Sequence, residues 1–205
     1  MTDGARAEAL WALALQAVAS HIAHDFRNAL NGVAVNLEVV RGRSARGADA
    51  TAIAPFAATA SADFEVAAAA AEALLGLTRP EQGDADVAAI LGRISRLLSL
   101  RTPTAVQVTD QSDGRARTRV PSDVVRAVVA RSVLAPIGAG DTIACEIGVG
   151  DDIFLLVTGA MHVPPLPDPE LVAVASSHGV RFASRGLTLD LRFPALDSRA
   201  THAPE

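Results

Sequence analysis

The chain has 205 residues, enough for one large domain or two small ones, and a net charge of −5 from 23 acidic and 18 basic residues. All 18 basic residues are arginines, which excludes P-loop, Schiff-base and Ser-Lys chemistry, because each needs a lysine. The acidic balance and the 3% aromatic content argue against a nucleic-acid partner, since neither a basic stripe nor a stacking surface is visible.

The chain is expected to be soluble and cytoplasmic, with no membrane partner. The apolar run at 9–19 is interrupted by Gln16 and follows the acidic Asp3, so we do not interpret it as a signal peptide. No stretch reaches the ~20 apolar residues that a membrane span needs. Cys145 is the only cysteine, which fits a reducing compartment, and its apolar surroundings predict a buried structural thiol.

The first part of the chain predicts a long helical hairpin. Apolar residues spaced by three or four indicate one amphipathic helix over 4–41, and a charged, Gly-rich turn at 41–49 follows it. A second helix is predicted over 53–77, with Pro55 in its first turn. A lone hairpin cannot bury an apolar stripe on each helix, whereas two hairpins can pair as a four-helix bundle. The pattern therefore predicts a homodimer.

Helices and strands alternate in the second part. The sequence "TRPEQGDAD" at 78–86 is the predicted domain boundary, because it combines Pro, Gly and charge. The fold class is therefore α+β, with a helical hairpin domain at 1–80, a small α/β domain at 81–197 and a flexible tail at 198–205. The patterns predict helices at 86–100, 122–135 and 168–178, and strands at 104–110, 115–120, 142–149, 152–158, 180–184 and 187–193.

The sequence "HIAHDFRNALNG" at 21–32 carries the candidate site. On a helix, His21, His24, Asn28 and Asn31 share one face, which is turned away from the apolar side. A neutral imidazole can accept a phosphoryl group on one nitrogen when a carboxylate hydrogen-bonds the other, and Asp25 stands beside His24 for that role. Asn28, one turn along, could orient a water for the reverse, hydrolytic reaction.

Two other interpretations of this stretch stay open. In the simplest case, the helix face that carries His21 and His24 is solvated, and both are ordinary surface histidines. Metal binding by His21, His24 and Asp25 is a less supported interpretation, because no confirming motif elsewhere in the chain accompanies these three clustered ligands.

The stretch "HDFRNALNGVAVNLEVV" resembles the H-box of two-component histidine kinases. In that family the phosphoacceptor histidine is followed by an acidic, an apolar and a basic residue, then Asn or Thr, usually Pro, and Leu. Ala29 replaces the usual proline, and the residues that match this pattern are His24, Asp25, Phe26, Arg27, Asn28 and Leu30. The resemblance extends over about residues 5–195, because hairpin, linker and α/β domain follow the family's order.

The resemblance fails at the nucleotide site. The family's two Mg-ATP-binding asparagines align with Arg131 and Ala135, and the chain has no asparagine after Asn36. The family's DxGxG element is replaced by "TGAMHVPP", and only Gly179 and Gly186 lie beyond Gly159. The resemblance therefore implies a kinase-shaped protein that does not use ATP.

Retention of His-Asp-x-x-Asn without an ATP site resembles dimeric histidine phosphotransferases of the ChpT-like and Spo-zero-B-like kind. This resemblance implies that His24 relays phosphoryl groups between response-regulator receiver domains, with a hybrid histidine kinase as a further candidate partner. No cofactor is expected in this chain, because the magnesium would belong to the receiver. The alternatives are a receiver phosphatase or inhibitory pseudokinase, and a non-catalytic dimeric scaffold.

His21, Arg27, Asn31 and Ala68 are the predicted partner-binding residues around this site. Counting about 17 residues from each side of the turn places Ala67, in the alanine run 67–71, level with His24. Small side chains there would leave space for a receiver to bring its phosphoryl group to the imidazole.

Overall fold

A computed structural model describes residues 3–79, 84–99, 105–138, 142–162 and 164–196 of the protein. The described residues form five helices and seven strands, and the fold is α+β, with two long helices followed by a mixed-sheet domain. The elements are α1 (Asp3–Ala45), α2 (Ala50–Thr78), β1 (Ala85–Asp86), α3 (Val87–Leu98), β2 (Val106–Asp110), β3 (Arg117–Thr118), α4 (Ser122–Gly138), β4 (Ile143–Val149), β5 (Asp152–Gly159), α5 (Pro169–Ser177), β6 (Arg181–Arg185) and β7 (Thr188–Pro194). This order confirms the predicted fold class.

The turn between α1 and α2 is shorter than the sequence predicts. The Asp49 side chain accepts a hydrogen bond from the Ala52 backbone N–H at 2.8 Å, which caps α2 and starts it at Ala50. The expectation that Pro55 lies in the first turn is therefore wrong, because Pro55 is the sixth residue of α2. A proline inside a helix removes one backbone hydrogen bond, and α2 continues past it to Thr78.

The register of the hairpin is set by the contact of Gly32 with Asp63. A Cβ atom on Gly32 would overlap the Asp63 carboxylate, so the two residues lie level across the helix pair. Both helices rise by the same amount per residue, so going back from 32 to 24 corresponds to going forward from 63 to 71. Ala71 is therefore level with His24, and the expected Ala67 is wrong by one helical turn.

The domain after the hairpin has a five-stranded sheet with helices against one face. The strand order is β2-β4-β5-β7-β6, with β2 parallel to β4 and every other neighbouring pair antiparallel. Along β5, the alternate residues Ile153, Leu155 and Val157 are buried, while Phe154 and Leu156 on the open face are half-buried. Strands β1 and β3 form a separate two-residue pair, which the sequence did not predict for β1.

One hydrophobic core extends from the hairpin into the second domain. The N-terminal half of α1 contacts α3, α4 and α5, and its buried residues join the same cluster as those of the sheet. These α1 residues are Ala7, Leu10, Trp11, Ala14, Val18 and Ile22. The predicted domain boundary at 80/81 and the predicted tail at 198–205 lie outside the described residues. Both therefore stay predictions.

Arginines of the second domain bind the C-terminal carbonyls of α2. The last turn of α2 has no basic residue of its own. The Arg126 guanidinium, on α4, donates to the Arg79 carbonyl at 2.7 Å, and Arg93, on α3, donates to the Gly76 carbonyl at 3.5 Å. Arg126 also lies 5.9 Å from the centroid of the Trp11 ring on α1. This junction joins α1 to α4 and the C-terminal end of α2 to α3 and α4.

The hairpin leaves a set of large apolar side chains exposed. They are Leu13, Leu30, Val35, Leu37, Phe64, Val66 and Leu75. Leu30, on the predicted apolar side of α1, is 45% exposed within this single chain. None of the described helices combines the length and the hydropathy that crossing a bilayer requires.

Replacing Gly148 by Val should destabilise the sheet. Gly148 lies opposite Phe154 in the antiparallel pair of β4 and β5, and a Cβ atom on it would overlap the Phe154 ring. The ring would have to leave the backbone that it covers, at a cost of about 1–3 kcal/mol. Chemical denaturation measures this loss. Gly92→Ala on α3 is the matched control, because nothing lies within 4 Å of its Cβ position, and it should be stabilising. Equal effects of the two variants would contradict the prediction.

Candidate functional site

His24 is presented to solvent on α1, and its neighbour Asp25 contacts its ring. The His24 side chain is 73% exposed and the Asp25 side chain is 28% exposed. The distance from His24 Nδ1 to Asp25 Oδ1 is 3.3 Å. If Nδ1 carries the ring proton, it donates to this carboxylate, and Nε2 then keeps its lone pair. The contact favours the tautomer in which Nε2 is the nucleophile.

Asn28 lies beside the imidazole of His24, one turn along the helix. Its Nδ2 atom is 3.2 Å from His24 Nδ1 and 3.4 Å from His24 Nε2. The lone-pair directions of the two ring nitrogens diverge, so an atom at nearly equal distance from both lies along neither of them. The Asn28 amide therefore leaves the outward direction of Nε2 open and stands close enough to contact a group bound there.

The residues predicted to bind a partner are on the surface of the hairpin. His21, Arg27 and Asn31 are exposed on α1, and Ala68 is exposed on α2. Asn28 is half-buried. Within the alanine run, 68 and 69 are exposed, whereas 67 and 70 are buried against the rest of the chain. The run therefore contributes side chains both to the packed interior and to the surface. From the register set by Gly32 and Asp63, Ala68 lies level with Arg27, about one turn from His24.

No metal-binding cluster is found at this site or elsewhere in the described residues. No three His, Cys, Asp or Glu residues among them lie in an arrangement that could hold a metal ion. The metal interpretation of His21, His24 and Asp25 therefore gains no support from the described residues. Burial raises the pKa of the Cys145 thiol to about 12, so it is neutral and unreactive near pH 7, as the sequence predicted.

Arg131 and Ala135, the positions at which the resemblance places the kinase asparagines, line a small cavity. The cavity has a volume of about 260 Å³ and lies between α4 and the segment that precedes α5. The Arg131 guanidinium is 3.8 Å from the Asp168 carboxylate, whose other oxygen accepts the Leu171 backbone N–H and caps α5. The volume is below the roughly 300–1,000 Å³ typical of small-molecule sites. The ion pair of Arg131 with Asp168 therefore forms part of one wall of this cavity.

The contacts that join the hairpin to the second domain were not predicted from the sequence. Arg126 is 2% exposed, and it lies in the apolar stretch "VVRAVVA", where a lone charge signals a buried partner. Trp11 is the only tryptophan of the chain and is buried. These two signals were available, but they do not say which carbonyl or ring the arginine meets.

Comparisons with known proteins give structural neighbours of low similarity. A bacterial phosphotransferase is 16% identical, with a TM-score of 0.41, and the match covers 88% of this chain and 96% of that one. A blue-light activated histidine kinase of Erythrobacter litoralis is 14% identical, with a TM-score of 0.43 and coverages of 80% and 64%. The histidine kinase AdeS of Acinetobacter baumannii is 10% identical, with a TM-score of 0.36 and coverages of 85% and 98%.

No protein-family model matches the chain, and no curated protein matches it. The TM-scores of the three structural neighbours are below 0.5, so these likenesses carry no argument about fold or function. The contacts within this chain alone therefore define its fold and its site. It is an α+β protein with an exposed histidine, paired to a carboxylate and an amide, on a helical hairpin.

Proposed function

We propose that the protein is a cytoplasmic histidine phosphotransferase of a two-component phosphorelay, which passes phosphoryl groups between receiver domains through His24 and does not bind ATP. The observation that carries the proposal is the geometry of His24. The His24 side chain is 73% exposed, its Nδ1 atom is 3.3 Å from the Asp25 carboxylate, and its Nε2 atom is 3.4 Å from Asn28 Nδ2. This arrangement suits a nucleophile better than a histidine that serves packing.

The transfer step uses His24 and Asp25 in different roles. The Nε2 lone pair attacks the phosphorus of an aspartyl phosphate, so an N–P bond forms while the O–P bond breaks and the partner's carboxylate leaves. The ring then carries positive charge, which the Asp25 carboxylate stabilises through Nδ1–H. Transfer to a second receiver reverses the step, and the magnesium that assists it belongs to the receiver.

The absence of ATP use is supported by the nucleotide-site positions. Arg131 and Ala135 stand where the resemblance places asparagines, and Arg131 pairs with Asp168 at 3.8 Å. The described cavity at this place has about 260 Å³. We propose that the second domain supports the hairpin through their common core and does not bind a nucleotide.

A homodimer is part of the proposal. The exposed apolar side chains of α1 and α2, such as Leu37 and Phe64, lie on a hairpin that would bury them by pairing with a second hairpin. The paired hairpins would form a four-helix bundle and leave His24 on the outside. Size determination by light scattering tests this part.

The deciding experiment follows a labelled phosphoryl group. The protein is incubated with a receiver domain that carries a radiolabelled aspartyl phosphate, and acid- and base-stability of the label then identifies its chemical form. Acid-labile, base-stable label on this chain is expected, since phosphohistidine has that behaviour. A parallel incubation with labelled ATP and magnesium should leave the chain unlabelled. Loss of receiver phosphate without label on the chain would replace the relay with a phosphatase, and no turnover would favour a scaffold.

Asn28→Ala should separate transfer from hydrolysis. The Asn28 amide lies beside the ring without taking the Nε2 direction, so acceptance by His24 should stay within about threefold of wild type. Any hydrolysis of receiver phosphate should fall by about tenfold or more, because the amide would no longer orient water. Both rates are measured in the same labelled incubation. Equal loss of both would indicate that Asn28 docks the partner.

Ala68→Arg should block transfer from a receiver without inactivating His24. Ala68 is exposed and lies about one turn from the level of His24, so a large charged side chain would hold a receiver away. Labelling of His24 by phosphoramidate, a small donor, should be unchanged. Ala58→Arg is the matched control, since Ala58 is exposed on the same helix but lies level with Leu37. Unchanged transfer in Ala68→Arg would exclude this surface from docking.

A further inference from the structure

Strand β6 ends the five-stranded sheet, and one of its edges is unpaired among the described residues. Within that part of the chain β6 pairs with β7 alone, and its five residues, Arg181–Arg185, are mostly exposed. A free edge presents backbone donors and acceptors that can pair with another strand. This edge is separate from the hairpin that carries His24.

The turn that joins β6 to β7 determines which backbone groups face outward. The turn has two residues, Gly186 and Leu187, and Gly186 has a φ of +56°, as a type II′ turn requires at its first position. In a two-residue hairpin the closing pair, here Arg185 and Thr188, exchanges both hydrogen bonds. Bonding then alternates along the strand. The N–H and C=O groups of Phe182 and Ser184 therefore point away from β7, toward the free edge.

The side chains on the open face at this edge are basic. Every second residue of β6 lies on that face, namely Arg181, Ala183 and Arg185. The two arginines are about 13 Å apart along the strand. They line a groove of about 450 Å³ together with Asp152, Asp190 and Arg192. Arg181 pairs with Asp152, and Arg192 donates to Asp190 at 2.7 and 2.9 Å. In the described part of the chain Arg185 has no ion-pair partner.

The opposite face of β6 offers an apolar contact. Phe182 lies across from Leu191 of β7 and is half-buried against the core, and Ser184 lies across from the buried Leu189. A strand added at the edge would thus meet arginines on one face and Phe182 on the other. Since the chain as a whole carries a net charge of −5, this basic edge is a local feature.

We propose that the free edge of β6 binds an acidic segment of a partner protein as an added antiparallel strand. The segment has acidic residues four positions apart, opposite Arg185 and Arg181, and apolar residues opposite Ser184 and Phe182. Opposite charges across neighbouring strands stabilise the pair, and the outward groups of Phe182 and Ser184 supply the backbone hydrogen bonds. The other free edge of this sheet, strand β2, would bind poorly at the β6 edge of a second copy of the chain. Strand β2 has one acidic residue, Asp110, whose side chain binds the Ser112 backbone and hydroxyl.

The test measures binding of a short peptide to the full chain by fluorescence anisotropy. The probe is fluorescein-labelled Ser-Glu-Val-Thr-Val-Glu-Ser-amide, which places the two acids four positions apart and a valine inside each. A control peptide of the same composition, Ser-Val-Glu-Glu-Val-Thr-Ser-amide, puts the acids on opposite faces of a strand. The first peptide should bind at least about tenfold more tightly than the second.

Variants and modified peptides separate strand addition from simple charge attraction. Arg181→Glu/Arg185→Glu should weaken binding by about tenfold or more, whereas Arg46→Glu/Arg96→Glu, an equal change in net charge at other exposed arginines, should not. Ser184→Pro should abolish binding, because it removes an outward donor but no hydrogen bond to β7. N-methylation of both valines in the peptide makes the same test on an unaltered protein. N-methylation of the threonine should have little effect.

Two results would overturn the proposal. Equal affinity for the two peptides would show that acid spacing does not matter at this edge. Binding that survives N-methylation of both valines and is displaced by pyrophosphate would show a simple anion site instead of an added strand.

Discussion

His24→Ala should abolish acceptance of the phosphoryl group from a receiver while leaving the fold intact. The substitution removes a largely exposed ring whose Nδ1 atom lies 3.3 Å from the Asp25 carboxylate. Because the side chain is 73% exposed, its loss removes little packing and should change the free energy of unfolding by less than about 0.5 kcal/mol. Label on the chain and unfolding by denaturant are measured on the same preparation.

His21→Ala is the control for this prediction. His21 is a histidine on the same face of the same helix, one turn earlier, and it is also exposed. The contacts that prepare His24 involve Asp25 and Asn28, so the His21 variant should accept the phosphoryl group at nearly the wild-type rate. Label that persists in His24→Ala and disappears in His21→Ala would move the acceptor to His21 and refute the assignment.

Arg126→Ala should cost about 3 kcal/mol or more in the free energy of unfolding, the largest stability effect among the substitutions considered. Arg126 is 2% exposed. Its guanidinium donates to the Arg79 carbonyl at 2.7 Å and is 3.6 Å from the Asp123 carboxylate. Truncation leaves that carbonyl and carboxylate without their cation and opens a cavity beside Trp11. Urea denaturation with circular dichroism measures the loss.

Arg96→Ala provides the comparison, since Arg96 is an exposed arginine on α3. Its replacement should change stability by no more than about 0.5 kcal/mol. The Trp11 fluorescence reports the junction directly, because the ring lies 5.9 Å from the Arg126 guanidinium carbon. A loss below about 1 kcal/mol in Arg126→Ala would mean that apolar packing is enough, without this arginine, to keep α1 on α4 and α2 on α3.

The hairpin register illustrates where counting along the sequence fails. The count assumed that α1 ends near Arg41, but α1 continues to Ala45. Arg43 explains the extra turn, because it donates to the Ala52 carbonyl at 2.9 Å and stacks 4.4 Å from the Phe56 ring centroid. Both partners are on α2. Contacts between helices, which no local pattern encodes, thus moved the level of His24 from Ala67 to Ala71.

The second domain was predicted well in its elements and incompletely in its connections. Each of the predicted helices and strands from 86 to 193 has a counterpart, because apolar alternation and capping residues such as Asp86 and Asp168 act locally. The pairing of β1 with β3 was not foreseen, since two-residue strands have no period to detect. The parallel pairing of β2 with β4 also depends on how distant segments meet.

By itself the sequence determined the α+β class, the long helical hairpin, the exposed face that carries His24, and the side-by-side placement of His24, Asp25 and Asn28. These features follow from helical and strand periodicity and from spacing within two helical turns, which operate over a few residues. Only the tertiary structure decided that the first half of α1 packs on α4, that Arg126 reaches the Arg79 carbonyl, and that Ala71 lies level with His24. Such features depend on which surfaces meet, and the burial of apolar area that selects among those meetings is not directional enough to be read from a local pattern.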